Sequence, residues 1–453
     1  MNYTGKKVMV VGMARSGVGA AQLLCKHGAQ VIINDSKPRE ELKTDLSPLD
    51  SLPVTWALGR PAGELLEGLD ALVISPGIPD KAAFVVQAKE MGIYVLGEVE
   101  LAAQLAPGEL IAITGTNGKT TTTTLVTEMF RNAGRVSHAV GNIGDSYAAA
   151  GVDSTPEDVM VCEISSFQME TADTFHPHAA ALLNITEDHL NRHGTMEVYT
   201  AMKMRVFARQ TAEDIAVFND DDPALIPLVP QVKSQVMRFS RKHEVEQGAF
   251  VRDGQMILRW HGTETPVLPV KEIYIPGPHN LENALAAACL SFCCGVSAEV
   301  IAHTLRTFQG VEHRIEFVRE LDGVRYINDS KGTNVDSTIR AIQTMDRPTA
   351  IILGGSDKHC DFTPMVKEML ASPYIREAVL IGVTADQIER TLKENGYTHI
   401  HRAATFPEAI EQCRSLARPG WNVLLSPACA SFDMFSDYEQ RGHIFKDLVN
   451  ALV

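Results

Sequence analysis

The sequence predicts three α/β domains in succession, each built on a largely parallel sheet with covering helices. Short apolar runs alternate with helix-periodic stretches in the first and last thirds, the βαβ rhythm of a parallel sheet. The chain has 453 residues, more than one core of ordinary size accommodates. A turn signal at Ala106-Pro107-Gly108, and a fresh βα rhythm after Gly310, supply two places to divide it. The expected domains are 1–106, 107–310 and 311–453.

In the first domain, residues 8–11, 31–33, 72–74 and 94–96 are strand candidates, short and rich in branched apolar side chains. Between the first two, residues 17–27 carry apolar positions at helical spacing and stop at Gly28. The second domain opens on the strand 110–113 and continues through buried-strand runs at 159–164, 179–185 and 215–218. Residues 250–258 read as a hairpin turning on Asp253-Gly254. A long apolar helix over 281–294 closes at Gly295. Strands of the third domain are expected at 350–353, 378–381 and 423–425.

Composition narrows the function. With 41 basic and 56 acidic side chains the net charge is −15, which argues against nucleic acid and anionic membrane as partners. A small anion can still bind, because local backbone N–H groups and a few Lys or Arg outweigh a distant net charge. The start, Met1-Asn2-Tyr3-Thr4-Gly5-Lys6-Lys7, lacks the form of a secretory leader, and no apolar run reaches membrane length. The eight cysteines lie mostly in apolar settings with no C-x-x-C pair, so reduced thiols are expected rather than zinc or disulfides. A cytoplasmic protein is the expectation.

The strongest local signal is Ile111-Ala112-Ile113-Thr114-Gly115-Thr116-Asn117-Gly118-Lys119-Thr120. A buried strand feeds a glycine-bearing turn and then a helix that ends near Gly134, the context a phosphate loop requires. Glycines let the backbone approach the phosphates, and the helix start adds its positive end. Lys119 would reach the β/γ-phosphates and Thr120 would ligate Mg²⁺. The pattern departs from the usual phosphate loop at Ile113, where a glycine is expected. Five threonines, Thr120 to Thr124, are poor helix formers that ligand contacts or N-terminal capping would offset.

Three further polar groups sit at the ends of apolar runs. Glu163 closes one strand and would lie at the carboxyl edge of the same parallel sheet, where ligands of α/β domains collect. Asn184-Ile185-Thr186-Glu187-Asp188-His189 follows another; His189 is either a ligand or one of many surface histidines. In the helix expected over 196–208, Tyr199, Met202 and Val206 form the buried stripe, with Lys203 on its edge. A snorkelling lysine and a functional one are both open there. Near the amino terminus, Gly12-Met13-Ala14-Arg15-Ser16-Gly17 with Asp35 after the second strand has the form of a dinucleotide fingerprint. Nicotinamide dinucleotides and nucleotide-sugars both carry the diphosphate that such a turn holds.

Taken together, Thr114 to Thr120, Glu163, Thr186-Glu187-Asp188-His189 and Lys203 resemble the Mur ligases of peptidoglycan synthesis. The resemblance continues through Asn328-Asp329-Ser330-Lys331-Gly332-Thr333-Asn334, Gly354-Gly355-Ser356-Asp357-Lys358, Ser426-Pro427-Ala428-Cys429-Ala430-Ser431-Phe432-Asp433 and Tyr438-Glu439-Gln440-Arg441-Gly442, and so covers essentially the whole chain. It implies a Rossmann-like amino-terminal domain for the UDP-sugar, a central P-loop ATPase-type domain and a Rossmann-like carboxyl-terminal domain for the amino acid. The implied reaction is ATP-dependent addition of D-glutamate to UDP-N-acetylmuramoyl-L-alanine through an acyl phosphate, in a cytoplasmic monomer serving cell-wall synthesis, cell shape and division.

The same resemblance assigns roles residue by residue. Gly115, Thr116, Asn117, Gly118, Lys119, Thr120 and Thr121, with Arg314, would hold the ATP phosphates, and Asn280, Asn283 and Asp329 the adenosine. Thr120, Glu163, His189 and a carbamylated Lys203 would serve two Mg²⁺ sites. Asp35, Ser36, Ser75 and Gly77 match the UDP-muramoyl contacts, and Asn142 and His189 would position that substrate. Lys37 stands where an arginine is expected. Thr333, Lys358, Ser431 and Tyr438 would receive D-glutamate. An NAD-dependent dehydrogenase, the rival from a different class, leaves Gly115–Thr120 and Glu163 without a task.

Overall fold

The computed structural model describes residues 2–42, 44–356 and 360–452. Three sheets organise them. The first runs Val54–Leu58, Gln30–Asp35, Lys7–Val11, Ala71–Ile74, Tyr94–Gly97 across its width, every pairing parallel. The strand order reverses direction between Lys7–Val11 and Ala71–Ile74, and at such a switch point the crevice beyond the carboxyl ends is open to a ligand. Gly12 and Ser75 follow these two strands directly. All four expected strands are present; Val54–Leu58 is an addition at the edge. It lacks a buried run and leaves Trp56 37% exposed under the Arg39 guanidinium, so its apolar pattern was too weak to stand out.

The second sheet has the order Thr263–Pro269, Gln255–Trp260, Gly248–Arg252, Gln235–Ser240, Ile215–Asn219, Ala179–Leu182, Glu109–Thr114, Val159–Glu163, Ser137–Gly141. It is parallel from Gly248–Arg252 onward and antiparallel in the two outer hairpins. The first hairpin turns on Asp253 and Gly254, both at positive φ (50° and 73°), as its Asp-Gly pair predicts. Glu109–Thr114 lies between Ala179–Leu182 and Val159–Glu163. One end of this sheet therefore gathers Gly115, Glu163 and the segment after Leu182.

Two expected elements are shorter than their apolar patterns. The run at 179–185 leaves the sheet after Leu182, because Asn184 turns back to accept the Thr116 N–H at its carbonyl (3.0 Å). The helix expected over 196–208 is α-helical for Met196–Met204 and tightens to a 3₁₀ turn at Arg205–Phe207. The apolar helix after Gly277 starts earlier than expected, at Pro278, and runs to Cys293, consistent with proline at a helix start.

The first two sheets belong to one compact unit, residues up to Tyr274 together with Asn280–Phe308. A single apolar core joins them, running from Val8, Leu23 and Leu101 to Tyr147, Cys162 and Phe218. Helix Arg15–Lys26 meets helix Tyr147–Asp153 so closely that a Cβ on Gly19 would fall 2.4 Å from Ser146 Oγ. The turn at Ala106-Pro107-Gly108 separates two sheets that nevertheless share this core.

The second unit comprises Ile275–His279 and the chain from Gln309 onward. Its sheet has the order Glu316–Leu321, Val324–Asn328, Asn422–Leu425, Thr349–Leu353, Ile375–Leu380, Ile400–Arg402, with only the first pair antiparallel. The three strands expected here are its central ones, buried on both faces. Among the described residues no helix is long and apolar enough to cross a membrane.

Candidate functional site

Thr114 ends its strand, Gly115 turns at φ 151°, and helix Lys119–Asn132 begins after Gly118 at φ 85°. Both glycines are required. Gly118 holds the left-handed conformation that side chains resist, and a Cβ there would lie 2.2 Å from the Asn283 amide oxygen. Gly118→Ala is expected to weaken nucleotide binding by about tenfold and to cost about 1–2 kcal/mol of stability. Nucleotide titration and thermal unfolding of the variant would check both.

The rest of the loop is held from outside. Asn184 clamps Asn117 from both sides, accepting its N–H at 2.8 Å and donating to its carbonyl at 3.0 Å. Thr116 Oγ1 accepts the Thr186 N–H at 3.0 Å and lies 3.1 Å from the Tyr199 hydroxyl. Lys119 Nζ folds onto its own loop, donating to the carbonyls of Gly115 (2.9 Å) and Thr116 (2.8 Å). The threonine run is buried from Thr120 to Thr123, and Thr124 returns its hydroxyl to the Thr120 carbonyl. These local bonds account for part of a sequence that helix propensity disfavours.

Glu163 is 2% exposed. One of its oxygens accepts from Asn142 Nδ2 at 2.9 Å; the other is buried with no hydrogen-bond donor among the described residues. A buried carboxylate oxygen left open fits a cation, since a full negative charge is costly without a partner. His189 stands nearby in sequence to the loop-clamping Asn184, at φ 55°, its ring 4.7 Å from that of Phe167 and its Nε2 3.5 Å from Asp188. Its side chain is 43% exposed.

Lys203 is where the structure departs most from an ordinary helix. The spacing set it on the edge of the apolar stripe; the fold buries it to 2% exposure, over the Tyr199 ring, with Nζ donating to the Gly115 carbonyl at 2.7 Å. Met202, expected in the stripe, is only half-buried. Burial and the neighbouring Lys119 charge push the Lys203 amine well below its usual range, against the opposing pull of Asp188 and Glu163. Snorkelling is therefore ruled out.

In the same unit Asn280 and Asn283 are buried one turn apart, with Asn283 Nδ2 donating to Asn280 Oδ1 at 3.3 Å. Asn283 Oδ1 lies 3.5 Å from Thr122 Oγ1. These asparagines thus pack against the phosphate loop and its helix. At the first sheet, Asp35 accepts the Met13 N–H at 2.8 Å and Ser75 Oγ donates to the Gly12 carbonyl at 2.9 Å, while Ser36 and Gly77 are exposed on the adjoining loops.

The second unit carries its own polar cluster. Asp329 is buried, accepting from Ser426 Oγ at 2.7 Å and from the Ile315 N–H at 3.3 Å. Burial pushes its carboxyl up to about 6, moderated by Arg314. Arg314 lies between His313 and Ile315, both at positive φ (63° and 46°); a β-branched residue there is a strained conformation of the kind that collects at functional loops. Thr333 is half-buried, Ser431 buried, and Tyr438 is approached by Lys331 Nζ at 3.3 Å from its hydroxyl. Lys358 lies outside the described residues.

Sequence reasoning passed over several groups that this geometry singles out. Arg441, quoted only as part of a closing motif, is 1% exposed and donates to the Ser330 carbonyl (2.7 Å), Ser330 Oγ (3.0 Å) and the Cys429 carbonyl (3.2 Å). It ties the Asp329 loop to the Ser426–Ser431 run. Helical spacing places Tyr199 in the buried stripe, yet its hydroxyl also reaches Thr116 Oγ1. His279, one residue before Asn280, is buried with neither ring nitrogen bonded among the described residues, and burial lowers it to about 3.

A glycine-bearing strand–turn–helix at the centre of a parallel sheet, backed by a buried acid and a buried lysine, defines an α/β protein of the phosphate-loop class. Three family models divide the chain among them: a Mur ligase MurD-like N-terminal domain over residues 6–97, the Mur ligase middle domain over 113–291, and a Mur ligase glutamate ligase domain over 313–429. The chain belongs to the Mur ligase family. It is 46% identical over 454 residues to the UDP-N-acetylmuramoylalanine–D-glutamate ligase of Caldanaerobacter subterraneus subsp. tengcongensis and 44% identical to that of Alkaliphilus oremlandii, with all of both chains covered. Among solved structures it resembles MurC from Thermotoga maritima (TM-score 0.61, 18% identity, 98% of this chain and 99% of that one). It also resembles MurF from the same organism in complex with ADP (TM-score 0.60, 17% identity, 99% and 96%). At these identities the structural likeness speaks for the fold.

Proposed function

We propose that the protein is an ATP-dependent ligase that joins D-glutamate to the carboxyl group of UDP-N-acetylmuramoyl-L-alanine. The observation that carries this reading is the 44–46% identity, over the full length, to ligases named for that reaction. The geometry of the phosphate loop supports it. The domains 1–106, 107–310 and 311–453 take the nucleotide-sugar, ATP and the amino acid in that order.

A carboxylate is a poor electrophile, so the muramoyl-alanine carboxylate attacks the ATP γ-phosphorus and ADP departs. The amine of D-glutamate then attacks the acyl phosphate, and phosphate leaves as the amide forms. Both steps need charge neutralised and groups aligned more than they need covalent help from the protein. Gly115 to Thr121 present N–H groups and Lys119 to the phosphates, and Arg314 adds a second cation. Asn280, Asn283 and Asp329 receive the adenosine. Asp35, Ser36, Ser75 and Gly77 hold the UDP moiety, and Asn142 and His189 place its carboxylate. Thr333, Lys358, Ser431 and Tyr438 hold D-glutamate.

Two Mg²⁺ ions would be held by Thr120, Glu163, His189 and Lys203, and when bound they neutralise phosphate charge. The open oxygen of Glu163 fits such an ion. Lys203 fits only after modification: a neutral buried amine adds CO₂ at nitrogen and releases one proton to give a carbamate, which converts a nitrogen donor into a carboxylate-like ligand. The enzyme acts as a cytoplasmic monomer. Mass spectrometry of the nucleotide product checks the reading: a gain of one glutamyl residue is expected, and a gain of alanine or a diamino acid would reassign the substrate to a sibling reaction.

A further inference from the structure

Beside the Gly12–Gly17 turn lies a cleft of about 240 Å³ whose lining includes Ala14, Arg15, Ser16, Asn142, Gly144 and Glu98. Arg15 and Ser16 start the helix after the diphosphate-type turn, and Asn142 is the group bonded to Glu163. Glu98 is out of place there. It is 2% exposed, at the first position of helix Glu98–Leu105, and it forms no ion pair among the described residues. Its one hydrogen bond among the described residues is accepted from the Ala148 N–H at 2.5 Å.

The groups that face it do not supply a counter-charge. Helix Tyr147–Asp153 brings the Tyr147 phenol and strand Val159–Glu163 the Cys162 thiol, both pushed up chiefly by burial and to a smaller extent by Glu98. Gln168 lines the same cleft and is neutral, and Glu100, on Glu98's own helix, accepts from Asp173, Thr174 and Gln104. Arg15 is the cation of the cleft, and its guanidinium is directed to the Gly144 carbonyl at 3.5 Å. Burial pushes the Glu98 carboxyl up to about 7.

We propose that Glu98 is a substrate-facing acid: the cleft receives the diphosphate-bearing nucleotide-sugar against Glu98 in its neutral, hydrogen-bond-donating form, so that binding takes up a proton. The proposal rests on the functional reading above for the identity of the ligand. An ionised carboxylate would repel the incoming anion, whereas the acid form donates to it. The sign follows. Binding an anion raises the carboxyl's proton affinity, so affinity is full below the free protein's value and falls as pH rises above it, by about tenfold per pH unit.

The test is calorimetric titration of the intact protein at pH 8, in two buffers of different ionisation enthalpy, with UDP-N-acetylmuramoyl-L-alanine and separately with UDP. Uptake of about half a proton or more per ligand is expected. In Glu98→Gln the uptake should vanish, and the Kd should stay flat between pH 7 and 9 where the unaltered protein weakens. Equal uptake in both proteins overturns the proposal by assigning the proton to another group such as Lys203. Zero uptake in the unaltered protein overturns it without need of the variant. Binding of UDP alone would remove the functional reading while the proton count on UDP still decides the role of Glu98. Binding of neither ligand overturns the proposal itself.

Discussion

Lys119→Met should lower ADP formation by about 10²- to 10³-fold while leaving the fold in place. The Lys119 ammonium is held by the Gly115 and Thr116 carbonyls, contacts that phosphate oxygens would replace if the loop binds ATP as proposed. Methionine keeps the stem and removes the charge. The loop itself should persist, because Asn184, Thr186 and Tyr199 hold Asn117 and Thr116 independently of the lysine. The loss should therefore appear in turnover and nucleotide affinity, with circular dichroism and unfolding temperature little changed. A variant that unfolds would show instead that the ammonium is a structural pin. The substitution carries a second consequence: removing the Lys119 charge should let the Lys203 amine rise, since that charge is one of the causes holding it down.

Lys203→Met should produce a loss of activity of comparable size with stability retained or raised. A buried amine whose proton affinity is lowered favours the neutral form in the folded state. The unfolded chain binds a proton that the native one gives up, so stability rises with pH between the lowered value and the ordinary lysine value near 10.4. At neutral pH the unmodified lysine thus costs stability, and methionine, of similar length and apolar, removes that cost. The variant should be as stable as its parent or more so, yet nearly inactive, the pattern of a residue kept for function. Intact-protein mass spectrometry under native conditions should find a carbon dioxide adduct that is absent from Lys203→Met. Retained activity in the variant, or an unmodified lysine in the active enzyme, would remove the carbamate.

The phosphate loop was legible in the sequence because its determinants are local: a buried strand, two glycines at the required positions and a helix start lie within ten residues. Glu163 was legible for a related reason, as a charge at the end of a run too apolar to be exposed. The burial of Lys203 was only half legible. Helical spacing set it on the edge of the stripe, but its depth depends on the Gly115 carbonyl and on packing that no local period reports. Glu98 and Arg441 were not legible as special. Glu98 lies in a stretch to which the sequence pattern assigns no element, and it becomes buried only when the Tyr147–Asp153 helix closes over it. Arg441 gains its role only when the Ser330 and Cys429 loops, distant in sequence, meet around it. Edge strands such as Val54–Leu58 were missed because exposure on both sides blurs the alternation that identifies a strand.

The most direct test of the account is phosphate release from Mg·ATP in the presence of UDP-N-acetylmuramoyl-L-alanine, with D-glutamate present, absent or replaced by L-glutamate. Sustained release that requires D-glutamate, and that L-glutamate does not support, is the predicted result. Tight binding of both nucleotides with no response to D-glutamate would contradict it.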